Sequence, residues 1–213
     1  VRPATARLLA RAASGPRVID LLFHLPESVV DRRYRPTLRA AETGRICTLH
    51  VTVTRITPPP PGGARGRRPW RVLVSDGTGE AELVFFSPHQ VRRLEAGQDI
   101  GVSGMLERFG DRLNMAHPDH LVPAARAGEI PLLDPVWPLT AGLFPGQVRA
   151  AIRAAFDIFP ALPEWQDASV LASRKWPGFE QALRTLHRPC DFPELLERDA
   201  LVSASERARA RLG

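Results

Sequence analysis

Lysine is nearly absent from this sequence: of 29 basic residues, only Lys175 is not an arginine. It lies in Arg174-Lys175-Trp176-Pro177. No G-x-x-x-x-G-K-[ST] pattern occurs anywhere, so the chain has no phosphate-cradling loop and is not a P-loop ATPase by itself. Cysteine is nearly as scarce, with two residues. Cys47 and Cys190 stand far apart without paired spacing, which argues against a disulfide framework or a thiolate zinc site and fits a reducing compartment. No uncharged apolar run approaches the ~18 residues of a membrane span. The start, Val1-Arg2-Pro3, has neither an initiator Met nor a signal-peptide pattern, so a cytoplasmic protein, met here as a fragment, is expected. G-x-S-x-G, H-E-x-x-H and a carboxylate pair assignable to one cleft are all missing, and no catalytic residue is assigned.

What is present is positive charge. The 213 residues carry a net +6, and the excess is local: residues 1–44 hold 8 basic and 4 acidic groups, residues 45–123 hold 10 and 8, and residues 124–213 hold 11 and 11. Such a surface seeks a polyanion, and arginine contacts anions bidentately. A genome-wide preference for arginine codons accounts for the choice of arginine equally well.

The hydrophobic period divides the chain in three. In residues 1–44, an Ala/Leu/Arg helix from Ala4 to Ala13 ends at Ser14-Gly15-Pro16. A second has Val18, Leu21, Leu22 and Leu25 on one face and stops at Pro26. In residues 45–123 the period becomes two. Leu49, Val51 and Val53 give a first strand. A long loop with Pro58-Pro59-Pro60-Pro61-Gly62-Gly63 leads to a second at Trp70–Val74, and Ser75-Asp76-Gly77-Thr78-Gly79 turns into a third ending Leu83-Val84-Phe85-Phe86. A short helix over Pro88–Leu94 precedes a fourth strand (Ile100, Val102, Gly104, Leu106), and Gly110-Asp111 leads to a fifth around Leu113 and Met115. Five strands with one helix between the third and fourth is the order of an OB-fold, with an SH3-like barrel as its rival. The predicted fold class is therefore α+β with a mainly β core: a five-stranded OB barrel, N-terminal helices, and a Pro-rich linker with helices over residues 124–213. Those helices are expected at Gln147–Phe156, Phe179–Leu186 and Pro193–Leu212.

Within this frame, Arg55, Arg65, Arg67, Arg68 and Arg71 make a cationic first loop, and Arg108, Phe109 and Arg112 lie at the loop between strands four and five. Both loops flank the ligand face of an OB-fold and suit phosphate contact; a solvated arginine-rich loop is the plain alternative. Alternation sends Phe85 inward with Ala81 and Leu83 and Phe86 outward with Glu82 and Val84, where a ring can stack a base. Packing under the Pro88 helix is the competing place for Phe86. Trp70 could also stack or cover the barrel edge, and Trp137, Trp165 and Trp176 read as packing between domains. Cys47, His50, His117 and His120 offer zinc donors in principle, but a turn at His117-Pro118-Asp119-His120 explains them better, and no metal is expected.

The string Asp20-Leu21-Leu22-Phe23-His24-Leu25-Pro26, Asp31-Arg32-Arg33, Leu73-Val74-Ser75-Asp76-Gly77-Thr78-Gly79, Val102-Ser103-Gly104, Met115-Ala116-His117-Pro118 and Pro135-Val136-Trp137-Pro138-Leu139-Thr140 resembles the N-terminal wedge region of the bacterial ATP-dependent DNA helicase RecG, in order and over nearly the whole chain. The resemblance implies a wedge that enters branched DNA (replication forks and Holliday junctions) and splits its arms in recombination and repair. It further implies motor domains in the same chain, a single-strand-binding protein as partner, and a place at the bacterial nucleoid. ATP and Mg would belong to the motor only, leaving no cofactor for the present residues. In the family an aromatic residue at the end of the third wedge strand stacks at the branch point. The matching position is Phe86, with Phe85 beside it; a second family aromatic, four residues on, falls on Gln90. The alternative is a stand-alone OB-fold module for single strands or proteins.

Overall fold

The computed structural model describes residues 2–60 and 68–213. The chain opens with helices α1 (Pro3–Ala12) and α2 (Val18–Leu22) and a short strand β1 (Ser28–Asp31). The helix expected through Leu25 ends three residues early, at Leu22. Pro26 restricts the residue before it, and the last turn is spent placing Leu22 in a core.

The two-residue period then produces β2 (Arg45–Thr57), β3 (Trp70–Ser75), β4 (Glu80–Phe85), a one-turn helix α3 (Pro88–Val91), β5 (Asp99–Phe109), β6 (Arg112–Ala116) and β7 (His120–Pro123). The sheet order is β2-β3-β4-β6-β5-β7, and β2 also pairs with β5, closing five strands into a barrel. All barrel pairings are antiparallel except β4 with β6. Numbered within the barrel, this is order 1-2-3-5-4-1 with a helix between the third and fourth strands, the Greek-key closure of an OB-fold. Strand β7 is a sixth, added on β5; its first residue is His120, which the sequence pattern assigned to a turn.

Residues two apart along each strand point inward and fill the barrel: Cys47, Leu49, Val51 and Val53 from β2, Val72 and Val74 from β3, Ala81, Leu83 and Phe85 from β4, Ile100, Val102 and Leu106 from β5, and Met115 from β6. Strand β5 approaches closely at Gly104, where a Cβ would stand 3.1 Å from Met115 Sδ and 3.3 Å from Pro118 Cα; only glycine fits without shifting them. Cys47 is fully buried and apolar packing pushes its thiol up to about 11, while His50 is exposed. Among the described residues, no cluster of histidine, cysteine and carboxylate side chains could hold a metal ion.

The turn from β3 to β4 is held by Asp76. Its carboxylate accepts from the Leu38 N–H (2.7 Å), the Thr78 N–H (2.8 Å), the Thr78 hydroxyl (2.7 Å) and the Gly79 N–H (3.2 Å), while Gly77 takes a positive φ of 80°. Burial pulls the Asp76 carboxyl up, but these bonds, led by Leu38 N–H, outweigh it and hold the group below its ordinary value. A carboxyl so lowered contributes stability above its unfolded pKa and loses it as pH falls. Asp76→Ala is expected to cost about 2–3 kcal/mol, the worth of hydrogen bonds to a charged acceptor. Urea denaturation at neutral pH measures it, and the deficit should shrink in acid.

The described residues form two compact units, the barrel unit of residues 31–132 and a second made of residues 1–30 and 133–213. The second contains strand β8 (Leu133–Val136), paired with β1, and helices α4 (Pro145–Asp157), α5 (Ala168–Arg174), α6 (Phe179–His187) and α7 (Arg198–Leu212). The sequence period treats residues 1–44 and 124–213 as separate segments. Side chains of both ends nevertheless share one core, with Leu9 and Leu22 packed among Trp137, Leu143, Val148, Ile152, Phe156 and Leu183. Trp137 is thus an internal packing residue of this unit. The helix expected over Pro193–Leu212 begins only at Arg198, after a 3-10 turn at Pro193–Leu196, and α5 has no counterpart in the hydrophobic period. No helix among the described residues is long and apolar enough to cross a membrane.

Candidate nucleic-acid interface

Strand register assembles the outer face of the barrel row by row. Arg71 pairs with Val84, and Val84 with Ala116; in the next row Arg55 pairs with Leu73, Leu73 with Glu82, Glu82 with Asn114, and Asn114 with Glu107. Residues paired across strands point to the same side, so these side chains form one surface. Its floor is Leu73, Val84 and the half-buried Asn114. One residue past β4, at the end of this face, stands Phe86.

Phe85 and Phe86 divide as alternation requires. Phe85 is 1% exposed and part of the barrel core, so the stacking contact considered for it does not exist in this fold. Phe86 is 44% exposed, and its ring stacks on the His117 imidazole with centroids 5.0 Å apart and planes at 20°. His117 is brought there by the parallel β4–β6 pairing: its N–H donates to Val84 O at 2.9 Å, and its φ of 50° is left-handed. A non-glycine residue in that region costs free energy, and Pro118 after it narrows the choice further. Pro118 is buried, which holds the corner in place. The imidazole therefore backs one face of the phenyl ring, which stays 44% exposed. Gln90 follows on α3 and is exposed, as are Arg92 and Arg93 just beyond it.

The arginines fall into distinct states. Arg55, Arg68, Arg108 and Arg112 are exposed and make no ion pair among the described residues. Arg65 and Arg67 lie outside the described residues. Arg71 is bound to Glu82 at 2.6 Å, with the carboxylate largely covered, so much of its charge is already spent. Arg32, from the Asp31-Arg32-Arg33 motif, is buried and donates to Ser103 Oγ and Asp119 Oδ2, each at 3.1 Å; it is a structural residue. Glu82 and Glu107 make the middle of the face acidic, with Arg55 in their row, and Glu80 lies level with Arg112 at the end away from Phe86. The sequence pattern did not single out His117 as a partner of Phe86, because their approach depends on the pairing of strands about thirty residues apart in sequence. The Met-Ala-His-Pro string was the one available signal.

No protein-family model matches the chain. By sequence it is 29% identical over 180 residues to the ATP-dependent DNA helicase RecG of Acidithiobacillus ferridurans, covering 82% of this chain and 25% of that protein. To the RecG of Escherichia coli (strain K12) it is 27% identical over 210 residues, covering 92% and 28%. A solved structure of RecG bound to a three-way DNA junction matches the whole chain and 28% of its own, with a TM-score of 0.67 and 21% identity, which supports the fold. The chain thus spans about a quarter of the length of the curated relatives it matches. The resemblance to the RecG wedge region read from the motifs extends over nearly all of it.

Proposed function

We propose, from its similarity to the RecG helicases, that this chain is the junction-reading wedge of a RecG-like ATP-dependent DNA helicase acting on forks and Holliday junctions in recombination and repair at the bacterial nucleoid. The observation that carries the reading is Phe86: a half-exposed ring at the end of a barrel strand, backed by His117 and so kept from collapsing onto the core. Its exposed side would cap the last base pair at the branch point, since an aromatic ring stacks on any base. Arg55, which stands in β2 and not in the loop the sequence pattern gives it, and Arg68, with Arg65 and Arg67 from the stretch between them in sequence, would hold phosphates, as would Arg108 and Arg112 at the β5–β6 hairpin; Arg71, engaged by Glu82, contributes less. Phosphate contacts carry no base sequence, so the module would select branch geometry. Unwinding would be the work of motor domains elsewhere in the parent chain, which would bind ATP and Mg; the present sequence offers no loop for either. A single-strand-binding protein would be a partner of the whole.

Fluorescence anisotropy against a three-way fork, a linear duplex and a single strand, at two salt concentrations, tests this. The fork should bind tightest, with affinity falling steeply as salt rises because several phosphates are neutralised. Phe86→Ala should remove the fork's advantage and leave the salt dependence. Equal affinity for all three substrates would overturn the wedge reading, and absence of binding would favour the alternative, an OB module for a protein partner.

A further inference from the structure

Phe109 is the most exposed large apolar side chain among the described residues, at 80%. It sits at the tip of the β5–β6 hairpin, which turns at Gly110 with a positive φ of 60°. A single exposed apolar residue is ordinary on a protein surface. Its placement is what matters. Phe109 pairs with Arg112 and lies two residues from Glu107, whose partner Asn114 pairs with Glu82. By strand alternation Phe109 therefore faces the same way as Glu82, Val84 and Phe86. The outer face of the barrel carries an aromatic ring at each end, each with arginine nearby.

We infer that Phe109 is a second base-stacking station, which holds the displaced single strand of a branched DNA at the far end of the face from Phe86. This rests on the proposed function and names a further contact for it. Val84 pairs with Ala116, so Phe86 is level with the position of residue 118, six residues along the β6 direction from Arg112. At ~3.3 Å per residue the two rings stand about 20 Å apart along the strands, the span of about six nucleotides at the ~3.4 Å rise of one DNA strand. Arg112, opposite Phe109 and on the same face, supplies a cation for the flanking phosphate. Between the stations Glu82 and Glu107 repel phosphate, so the strand is gripped at its two ends, and bases face the Leu73 and Val84 floor in between.

The spacing provides a test that a general basic surface would not pass. Forks with a single-stranded arm of two or of ten nucleotides are titrated with the unmodified chain, Phe109→Ala and Phe86→Ala. Phe109→Ala should weaken the ten-nucleotide fork by about 5- to 150-fold, the range of one base-stacking contact, and leave the two-nucleotide fork within about twofold, whereas Phe86→Ala should weaken both. Phe109→Trp should keep the affinity of the unmodified chain, and the emission of the added indole should be quenched by the long-armed fork only. Because the side chain lies outside the core, these variants should fold, and circular dichroism verifies it. If Phe109→Ala weakens neither fork, or both equally, the second station is overturned while the Phe86 result stands. Should the unmodified chain prefer no fork, the wedge reading fails; the Phe109 contact then survives only if Phe109→Ala weakens binding of a free ten-nucleotide strand, and is overturned otherwise.

Discussion

Phe85→Ala is expected to lower the stability of the barrel unit by about 3–5 kcal/mol, whereas Phe86→Ala, one residue later, should cost under about 1 kcal/mol and act on DNA binding instead. The two rings have the same chemistry and opposite surroundings. Phe85 is 1% exposed among Val72, Leu83, Met115 and the other barrel residues, and deleting it leaves a cavity that a closed sheet cannot collapse around. Phe86 is 44% exposed, stands outside the buried cluster and stacks on His117, so its removal forfeits mainly that ring stack. Its loss should nonetheless raise the Kd for a fork by about 5- to 150-fold if one base-stacking contact disappears. Urea denaturation with amide hydrogen exchange along β4 separates the two effects, because the first variant should open β4 and the second should not. Equal destabilisation by both would mean that Phe86 is a core residue, and the wedge reading would lose its carrier.

The second large effect is expected in the helical unit. His187 is buried with both ring nitrogens engaged: the Trp137 Nε1–H donates to Nδ1 at 3.0 Å, and Nε2 donates to Leu22 O at 2.8 Å. This pattern requires the neutral ring with its proton on Nε2. Burial drives the imidazole from its ordinary value of 6.5 down to about 4, against the opposing pull of the Leu22 hydrogen bond, and the nearby His24 and Arg209 charges push the same way. His187→Ala leaves an indole N–H and a backbone carbonyl buried without partners and should cost about 3–5 kcal/mol.

The same group sets a pH dependence. Above about pH 6.5 the ring is neutral in both folded and unfolded chains, and its contribution is complete. Between about 6.5 and 4 the unfolded chain takes up a proton that the folded chain refuses, so stability falls with pH by up to roughly 3 kcal/mol. Below about 4 the folded chain protonates too and the loss levels off. Urea midpoints at pH 7.5 and pH 5 should therefore differ for the unmodified chain, and the difference should shrink in His187→Ala. A difference of the same size in both would show that other groups dominate the acid response.

The parts of this molecule that follow from neighbouring residues were readable from the string itself. Alternation in Ala81-Glu82-Leu83-Val84-Phe85-Phe86 separates the two phenylalanines because the strand period is a property of one backbone segment. Ser75-Asp76-Gly77-Thr78-Gly79 announces its turn because Asp76 bonds to residues two and three ahead and Gly77 supplies the positive φ. From these local periods, and the helix between the third and fourth strands, the OB order follows.

What depends on partners distant in sequence was decided by the tertiary structure. Which glutamate neutralises Arg71 is set by the β3–β4 register, and which ring backs Phe86 by the parallel β4–β6 pairing. Burial of Arg32, the extra strand β7 and the union of Leu9 and Leu22 with Trp137 and Leu183 are of the same kind. Local pattern was enough for the barrel, its turns and the outward ring at Phe86. Only the folded chain settled which charges remain free beside that ring and which surfaces the two ends of the polypeptide bury together, because electrostatic pairing and core packing are sums over neighbours in space, and a local pattern contains only neighbours in sequence.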